Sequence, residues 1–222
     1  MSFTDKTIVI IGASGVFGAT AARSLRAAGA DVRLIVRTPA NLAADLADLP
    51  VATADISDRA DLHAAFAEVT EGRAVDGILN CAGVVAFGSF ADLSDAVAKK
   101  LFATNALGTI NVISLAEQVL SEGFIASFTG VAADMTIAGM GAYCASKSAA
   151  KAAMAVAARE LRARKISVLD IRAPHTETGL VNRALEGSAP KMPQGLEPQV
   201  VIDRVLLFLT NGEKDLPAEA FA

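Results

Sequence analysis

Thr7-Ile8-Val9-Ile10-Ile11-Gly12-Ala13-Ser14-Gly15-Val16-Phe17-Gly18 is the stretch that decides how this chain is read. Its first five residues are too apolar for a strand with one wet face, so they predict a strand buried on both sides. Gly12, Gly15 and Gly18 follow at intervals of three, and the next segment, Ala19 to Gly29, is rich in helix formers, with Leu25 on a mostly alanine face. Gly29 sits where that helix should stop. Strand, glycine turn and helix together set free backbone N–H groups and the positive end of a helix dipole against a pyrophosphate, with no Cβ to keep it away. The turn therefore reads as a dinucleotide-binding element.

Outward from this turn, strand and helix patterns alternate to the end of the chain, the signature of an α/β fold with a doubly wound parallel sheet of six to seven strands and helices on both faces. The later strands are expected at Asp31 to Arg37, Val51 to Ala54, Val75 to Leu79, Gly123 to Thr129 and Ile166 to Ile171, with Leu216 to Phe221 as at most an edge strand. Helices are expected from near Pro39, after an N-cap at Ser57, from about Leu93 to Ser121, from Ala142 to Arg164 and from Val200 to Leu209. His63 falls on the surface of the helix after Ser57. Residues 176–198 carry three prolines and little apolar periodicity, so they read as a mobile loop on the substrate side of a single domain spanning 1–222.

Composition narrows the function. The chain has 222 residues, 53% of them hydrophobic, and a net charge of −4 with Lys and Arg scattered, which argues against a nucleic-acid partner. No apolar run approaches the roughly 18 residues that cross a bilayer, and the N-terminus lacks the marks of a secretory signal. A cytoplasmic protein without a membrane partner is expected. The two cysteines, Cys81 and Cys144, read as free packing thiols, and neither of the two histidines, His63 and His175, has a partner at metal-ligand spacing. No metal site is expected.

The second strand bears on the cofactor. An acid at its end would hold the adenosine ribose hydroxyls of NAD, whereas an arginine there can accommodate the 2′-phosphate of NADP. The strand ends Ile35-Val36-Arg37-Thr38, about twenty residues past the glycine turn, so Arg37 favours NADP over NAD. Arg33 shares its strand face but lies further from the ligand edge.

The pentapeptide Tyr143-Cys144-Ala145-Ser146-Lys147 carries the chemistry. Residues four apart share a helix face, so phenol and ammonium converge on one site. A nearby positive charge favours the phenolate of a tyrosine, whose ordinary pKa is about 10, and fits it to exchange protons with an alcohol or carbonyl oxygen.

With the glycine turn, Asn80-Cys81-Ala82-Gly83 after the fourth strand, Asn105 in the next helix and Tyr143-x-x-x-Lys147 after the fifth strand, the chain resembles the short-chain dehydrogenase/reductase family. The likeness runs from about Ile8 to Thr178. It implies a Rossmann-type fold in which Gly12, Ser14, Gly15 and Gly18, with Val16 and Phe17 in the same turn, surround the cofactor phosphates. By the same resemblance Arg37 meets the 2′-phosphate and Asp55 with Ile56 flanks adenine, while Asn80, Ala82 and Gly83 line the middle of the cofactor. Tyr143 is then the catalytic acid/base, Lys147 binds the nicotinamide ribose and lowers the tyrosine pKa, and Asn105 holds a water of the proton relay. Pro174, His175 and Thr178 approach the nicotinamide.

Three departures from the family pattern stand out. Val16 occupies the place of the middle glycine, with Gly15 one position earlier, and Pro174-His175 replaces Pro-Gly. The position thirteen before Tyr143, where the family keeps its catalytic serine, is Gly130. Thr129, Thr136 and His175 are the candidates to supply the missing donor. The resemblance implies an NADP-dependent oxidoreductase moving hydride between nicotinamide and a small hydrophobic carbonyl or secondary alcohol, with Val84, Val85, Phe87, Phe90, Met140 and Leu180 lining the pocket. The alternative is a catalytically weak NADP-binding sensor or regulator. The family pairs the two long helices across a subunit interface, and the alanine-rich face from Ala149 to Ala158 suits that, so a homodimer or homotetramer is expected.

Overall fold

The computed structural model describes residues 2–213 and 215–221. Among them the strands β1 (Thr7–Ile11), β2 (Asp31–Val36), β3 (Val51–Thr53), β4 (Gly77–Asn80), β5 (Gly123–Phe128), β6 (Ile166–Ile171) and β7 (Asp215–Leu216) form one parallel sheet in the order 3-2-1-4-5-6-7. The expected doubly wound α/β fold is present, with the chain reversing its winding between β1 and β4. Ligands of such sheets bind at the carboxyl ends of the strands beside that switch point.

β1 is buried along its whole length because both faces of the sheet are covered. Ile8 and Ile10 pack with α1 (Val16–Ala27) and α6 (Pro198–Asn211), through Leu25, Val201, Ile202, Val205 and Phe208. Val9 and Ile11 face the other way, toward α2 (Arg59–Thr70), α4 (Gly108–Val119) and α5 (Gly141–Glu160), through Leu62, Phe66, Val112, Leu115 and Met154. A smaller cluster of Val85, Phe87, Ala132, Met140 and Cys144 lies beyond the carboxyl ends of the strands.

Several boundaries differ from expectation for identifiable reasons. Ser57 does not cap α2; its hydroxyl donates to Asp55 Oδ1, and Asp58 caps instead by accepting from the Asp61 N–H at 3.0 Å. The long helix expected from Leu93 to Ser121 is three pieces: α3 (Asp95–Leu101), a π-helical turn Phe102–Leu107, and α4. β7 stops at Leu216 before Pro217, and Ala218–Phe221 form a 3-10 turn rather than continuing the strand. His63 is not a plain surface residue, since its Nε2 is buried without a hydrogen-bond partner among the described residues.

Residues 176–198 are tied down at several points. Thr176 bridges Leu196, the Phe87 N–H donates to the Glu186 carbonyl at 2.9 Å, and the Leu185 N–H donates to the Val85 carbonyl at 2.8 Å. The Glu186 carboxylate also accepts from the N–H and hydroxyl of Ser94, the α3 cap. The segment is thus a strap laid over the loop after β4. Among the described residues no helix is long and apolar enough to cross a membrane.

Candidate active site

The glycine turn is shaped as a phosphate site. Gly12 has φ +83°, and a Cβ there would lie 2.7 Å from the Ala82 nitrogen; a Cβ on Gly18 would lie 2.5 Å from the Gly12 carbonyl oxygen. These two glycines pack α1 and the Asn80–Gly83 segment against the turn. The first intrahelical bond of α1 runs from the Ala19 N–H to the Gly15 carbonyl, so the N–H groups of Val16, Phe17 and Gly18 have no acceptor within the helix. α2 and α3 each have a side-chain cap and an acid in the first turn, whereas α1 has neither. Such a terminus is suited to an anion.

Arg37 lies just past the end of β2, exposed and without an ion-pair or hydrogen-bond partner among the described residues. Arg33 is buried and committed, donating to Asp31 and to the Val69 carbonyl. Asp55, expected beside adenine, lies just past β3 with its carboxylate engaged. Burial pushes its pKa up, yet Ser57 and Lys100 prevail and hold it down at about 2. The Ile56 side chain is buried against Gly108, so only its backbone could face a ligand.

Further along the groove, Asn80 donates to Ser127 Oγ at 3.0 Å and accepts the Ala82 N–H at 3.1 Å, which fixes the path of the Asn80–Gly83 segment. Asn105 sits in the π-helical turn, where one extra residue per turn pushes it inward. Its amide clamps both backbone groups of Val84, accepting the N–H at 3.0 Å and donating to the carbonyl at 2.9 Å, and donates to Ser146 Oγ at 3.0 Å. Ser146 in turn donates to the Tyr143 carbonyl at 2.7 Å. A Cβ on Gly83 would stand 3.3 Å from Lys147 Nζ and 3.5 Å from Asn105 Oδ1, so these three residues converge.

Lys147 is buried and donates to the Phe128 carbonyl at 2.9 Å. Burial lowers its pKa to about 8, against a smaller opposing pull from the Asp170 carboxylate. Tyr143 is half-buried, its hydroxyl has no hydrogen-bond partner among the described residues, and burial with the neighbouring Cys144 pushes its pKa up. The expectation that Lys147 lowers the tyrosine pKa is therefore not met in the protein by itself. Loss of water around the phenol outweighs an ammonium that is directed at a backbone carbonyl. Burial likewise raises the Cys81 thiol, and both cysteines are free.

The serine gap is structural. Gly130 has φ +77° and ψ 161°, a conformation open to glycine and strained for any residue with a Cβ. Thr129 does not replace the serine, because it is fully buried with its hydroxyl donated to Asp170 Oδ1 at 2.5 Å. Thr136 is exposed, and the His175 ring packs on Gly195 with Nε2 3.5 Å from Glu177 Oε1. Pro174 and Thr178 lie partly buried at the start of the strap, where the Thr178 N–H donates to the Thr176 carbonyl.

Around Tyr143 the cluster of Val85, Phe87, Met140 and Cys144, joined by Leu180, Val181, Ala184 and Ala189 from the strap, gives an apolar surround. Phe90 is not part of it: its ring lies over Gly141 and the residue is 80% exposed. Val84 contributes through its backbone, held by Asn105. Sequence reasoning passed over Phe128, whose ring stacks on Phe17 at 4.4 Å while its carbonyl holds Lys147. It also passed over Ser146, although this serine lies inside the Tyr143-to-Lys147 pentapeptide at i+3, the spacing that returns a side chain toward its own helix backbone.

The residues present fit a nicotinamide dinucleotide: an uncapped helix terminus and an unpaired arginine at one end, and at the other a groove floored by Gly83 beside Lys147. Among the described residues no group of three His, Cys, Asp or Glu side chains is placed to hold a metal ion.

Comparison with known proteins agrees with this geometry. The short chain dehydrogenase family profile matches residues 6–188. A cyclic-di-GMP-binding biofilm dispersal mediator protein of Escherichia coli (strain K12) is 33% identical over 169 residues, covering 75% of this chain and 71% of that protein. A 2-(S)-hydroxypropyl-CoM dehydrogenase of Xanthobacter autotrophicus is 33% identical over 157 residues, covering 65% of this chain and 61% of that enzyme. Among solved structures, a short chain dehydrogenase of Burkholderia cenocepacia in complex with NADP superposes with a TM-score of 0.86 at 22% identity, covering 99% of this chain and 91% of that one. By its profile match, its sheet order and its Asn105, Tyr143 and Lys147 arrangement, the chain belongs to the short-chain dehydrogenase family.

Proposed function

We propose that the chain is an NADP-dependent oxidoreductase acting on a small apolar carbonyl compound or the matching secondary alcohol, with Tyr143 as proton donor or acceptor. The observation that carries this is the convergence of Lys147 Nζ, Asn105 Oδ1 and Gly83 one helical turn from a phenol that has no partner of its own. When bound, the nicotinamide supplies or takes up the hydride. The α1 terminus and Arg37 hold the phosphates, the latter favouring NADP over NAD. Lys147 holds the ribose beside the groove floor, and the Asn105 clamp keeps the loop after β4 in place.

Burial keeps Tyr143 protonated, which suits donation of its proton to the oxygen of a carbonyl being reduced. No hydroxyl stands at Gly130 and the Thr129 hydroxyl is committed, so Tyr143 is the main donor to the carbonyl, with the exposed Thr136 and His175 beside Glu177 as the other candidates. The loss of one such donor is worth about a hundredfold in rate or more. The test is NADPH oxidation across a panel of apolar aldehydes and ketones. Turnover that vanishes in Tyr143→Phe supports the proposal, and turnover indifferent to that change overturns it.

A second reading, an NADP-binding sensor or regulator with little turnover, is favoured by Gly130 and by the name of the Escherichia coli relative. NADPH uptake in a calorimeter with no Tyr143-dependent oxidation would support it, and titration with cyclic di-GMP would show whether that ligand is shared. A homodimer or homotetramer built on α4 and α5 is part of the proposal. Ile110 (41% exposed) and Val156 (52%) flank a groove of about 390 Å³ that Ile113, Ala152 and Ala153 also line. Light scattering at micromolar concentration tests this. The proposed location is the cytoplasm.

A further inference from the structure

Behind the site lies a charged group that the chemistry above does not use. Asp170, on β6, is buried and shared between two donors, Thr129 Oγ1 at 2.5 Å and Arg172 at 2.6 Å. Arg172 also bonds Asp215 on β7 at 2.7 Å, and its Nε lies 2.7 Å from Asp134 as an ion pair without a hydrogen bond from that nitrogen. Asp134 pairs in turn with Lys151 of α5. The charged groups facing Asp170 are therefore Arg172 just past the end of β6, Asp215 on β7 and Lys147 on α5, with Asp134 and Lys151 reached through Arg172.

What this group holds is informative. Thr129 is the residue between Phe128, whose carbonyl anchors Lys147, and Gly130, which stands at the position of the missing serine. The Thr129 and Gly130 N–H groups both donate to the Ile171 carbonyl at 3.0 Å, next to Asp170 in the chain. A fully buried hydroxyl given to a buried carboxylate is a costly arrangement unless both ends are satisfied. Here the satisfaction fixes the end of β5, where the Lys147 acceptor sits.

We propose that Asp170 is a positioning residue for Lys147, acting through its hydrogen bond with Thr129 to set the Phe128 carbonyl that the Lys147 ammonium donates to. Its negative charge adds to the effect, since it is the carboxylate that favours the charged form of Lys147 against burial. The proposal rests on Lys147 serving the site. Its test needs neither cofactor nor substrate, so a silent NADPH assay would leave it standing.

The experiment is trace acetylation of the protein with acetic anhydride from about pH 6 to about pH 10. Mass spectrometry reads the Lys147 peptide against exposed Lys165, and the wild-type midpoint for Lys147 is expected at about 8. In Asp170→Asn and in Thr129→Val the midpoint falls by about one pH unit, making Lys147 about fivefold more reactive at about pH 7. Thr129→Ser, which keeps the hydroxyl, and Asp215→Asn, which alters only the exposed partner of Arg172, stay within about twofold of wild type. Wild-type labelling of Lys147 in both Thr129→Val and Asp170→Asn overturns the proposal. So does a Thr129→Ser protein that behaves like Thr129→Val. Thr129→Val is nearly isosteric, so it decides the matter even where Asp170→Asn fails to fold.

Discussion

Restoring a serine at Gly130 should damage the protein rather than repair it. The backbone there, at φ +77° and ψ 161°, lies where a Cβ is strained, at a cost of about 1–3 kcal/mol. Steric overlap adds little, because the nearest atom to an added Cβ is the Ala173 carbonyl oxygen at 4.0 Å. For a chain of this size 1 kcal/mol corresponds to about 2–4 °C in melting temperature, so Gly130→Ser should melt roughly 2–12 °C lower than wild type. Gly130→Ala should fall by the same amount, since the strain belongs to the Cβ and not to the hydroxyl. Thermal unfolding by circular dichroism measures both. NADPH-dependent turnover by Gly130→Ser should not exceed wild type, because relaxing to negative φ would swing the Gly130 N–H off the Ile171 carbonyl, 3.0 Å away. Melting temperatures equal to wild type in both variants, or a gain of turnover in the serine variant alone, would refute the reasoning.

Three further outcomes follow from the same geometry. Arg37→Ala should weaken NADPH binding by about tenfold to a hundredfold, the worth of a charge-assisted bond to phosphate, while NADH binding measured in the same calorimeter stays unchanged. Lys147 has a folded pKa of about 8, below its ordinary 10.5, so its charge costs stability fully below pH 8 and the cost is relieved as pH climbs to 10.5. Wild type should accordingly gain stability relative to Lys147→Met across that window, and parallel denaturation curves would contradict the assignment. Asp55 has the opposite sign: held at about 2, its carboxylate contributes stability above pH 3.8 that disappears as pH falls toward 2. Acid unfolding of Asp55→Asn should converge with wild type there, with a modest gap at neutral pH because the group is a third exposed.

Much of the fold was legible because its signals are local. Five β-branched residues ahead of Gly12 can only be a strand with no wet face, and β1 is buried at every position. β6 falls on the expected residues because apolar side chains and the left-handed Lys165 bound it sharply. The residues that escaped detection owe their roles to partners far away in sequence. Thr129 looked like a free hydroxyl until Asp170, forty-one residues on, claimed it. The sequence motif set Lys147 beside Tyr143, but the motif carries no information about dehydration, and dehydration governs both pKa values. Residues 176–198 lacked periodicity because their hydrogen bonds follow no regular spacing: some close the segment on itself, as from the Glu177 N–H to the Leu196 carbonyl, and others, through Leu185 and Glu186, go to the loop after β4.

The π-helical turn at Phe102–Leu107 makes this part of the chain sensitive to counting. A π turn closes over one residue more than an α turn, so removing one residue between Leu101 and Gly108 would restore an ordinary helix with its two flanks nearly in register, but without the bulge that sets Asn105 inward. Asn105 would leave Val84, and the clamp on the loop after β4 would go with it. Length changes in this helix are therefore more dangerous than most point substitutions. Descendants of this sequence can vary the letters of the segment, but they have little freedom to vary how many there are.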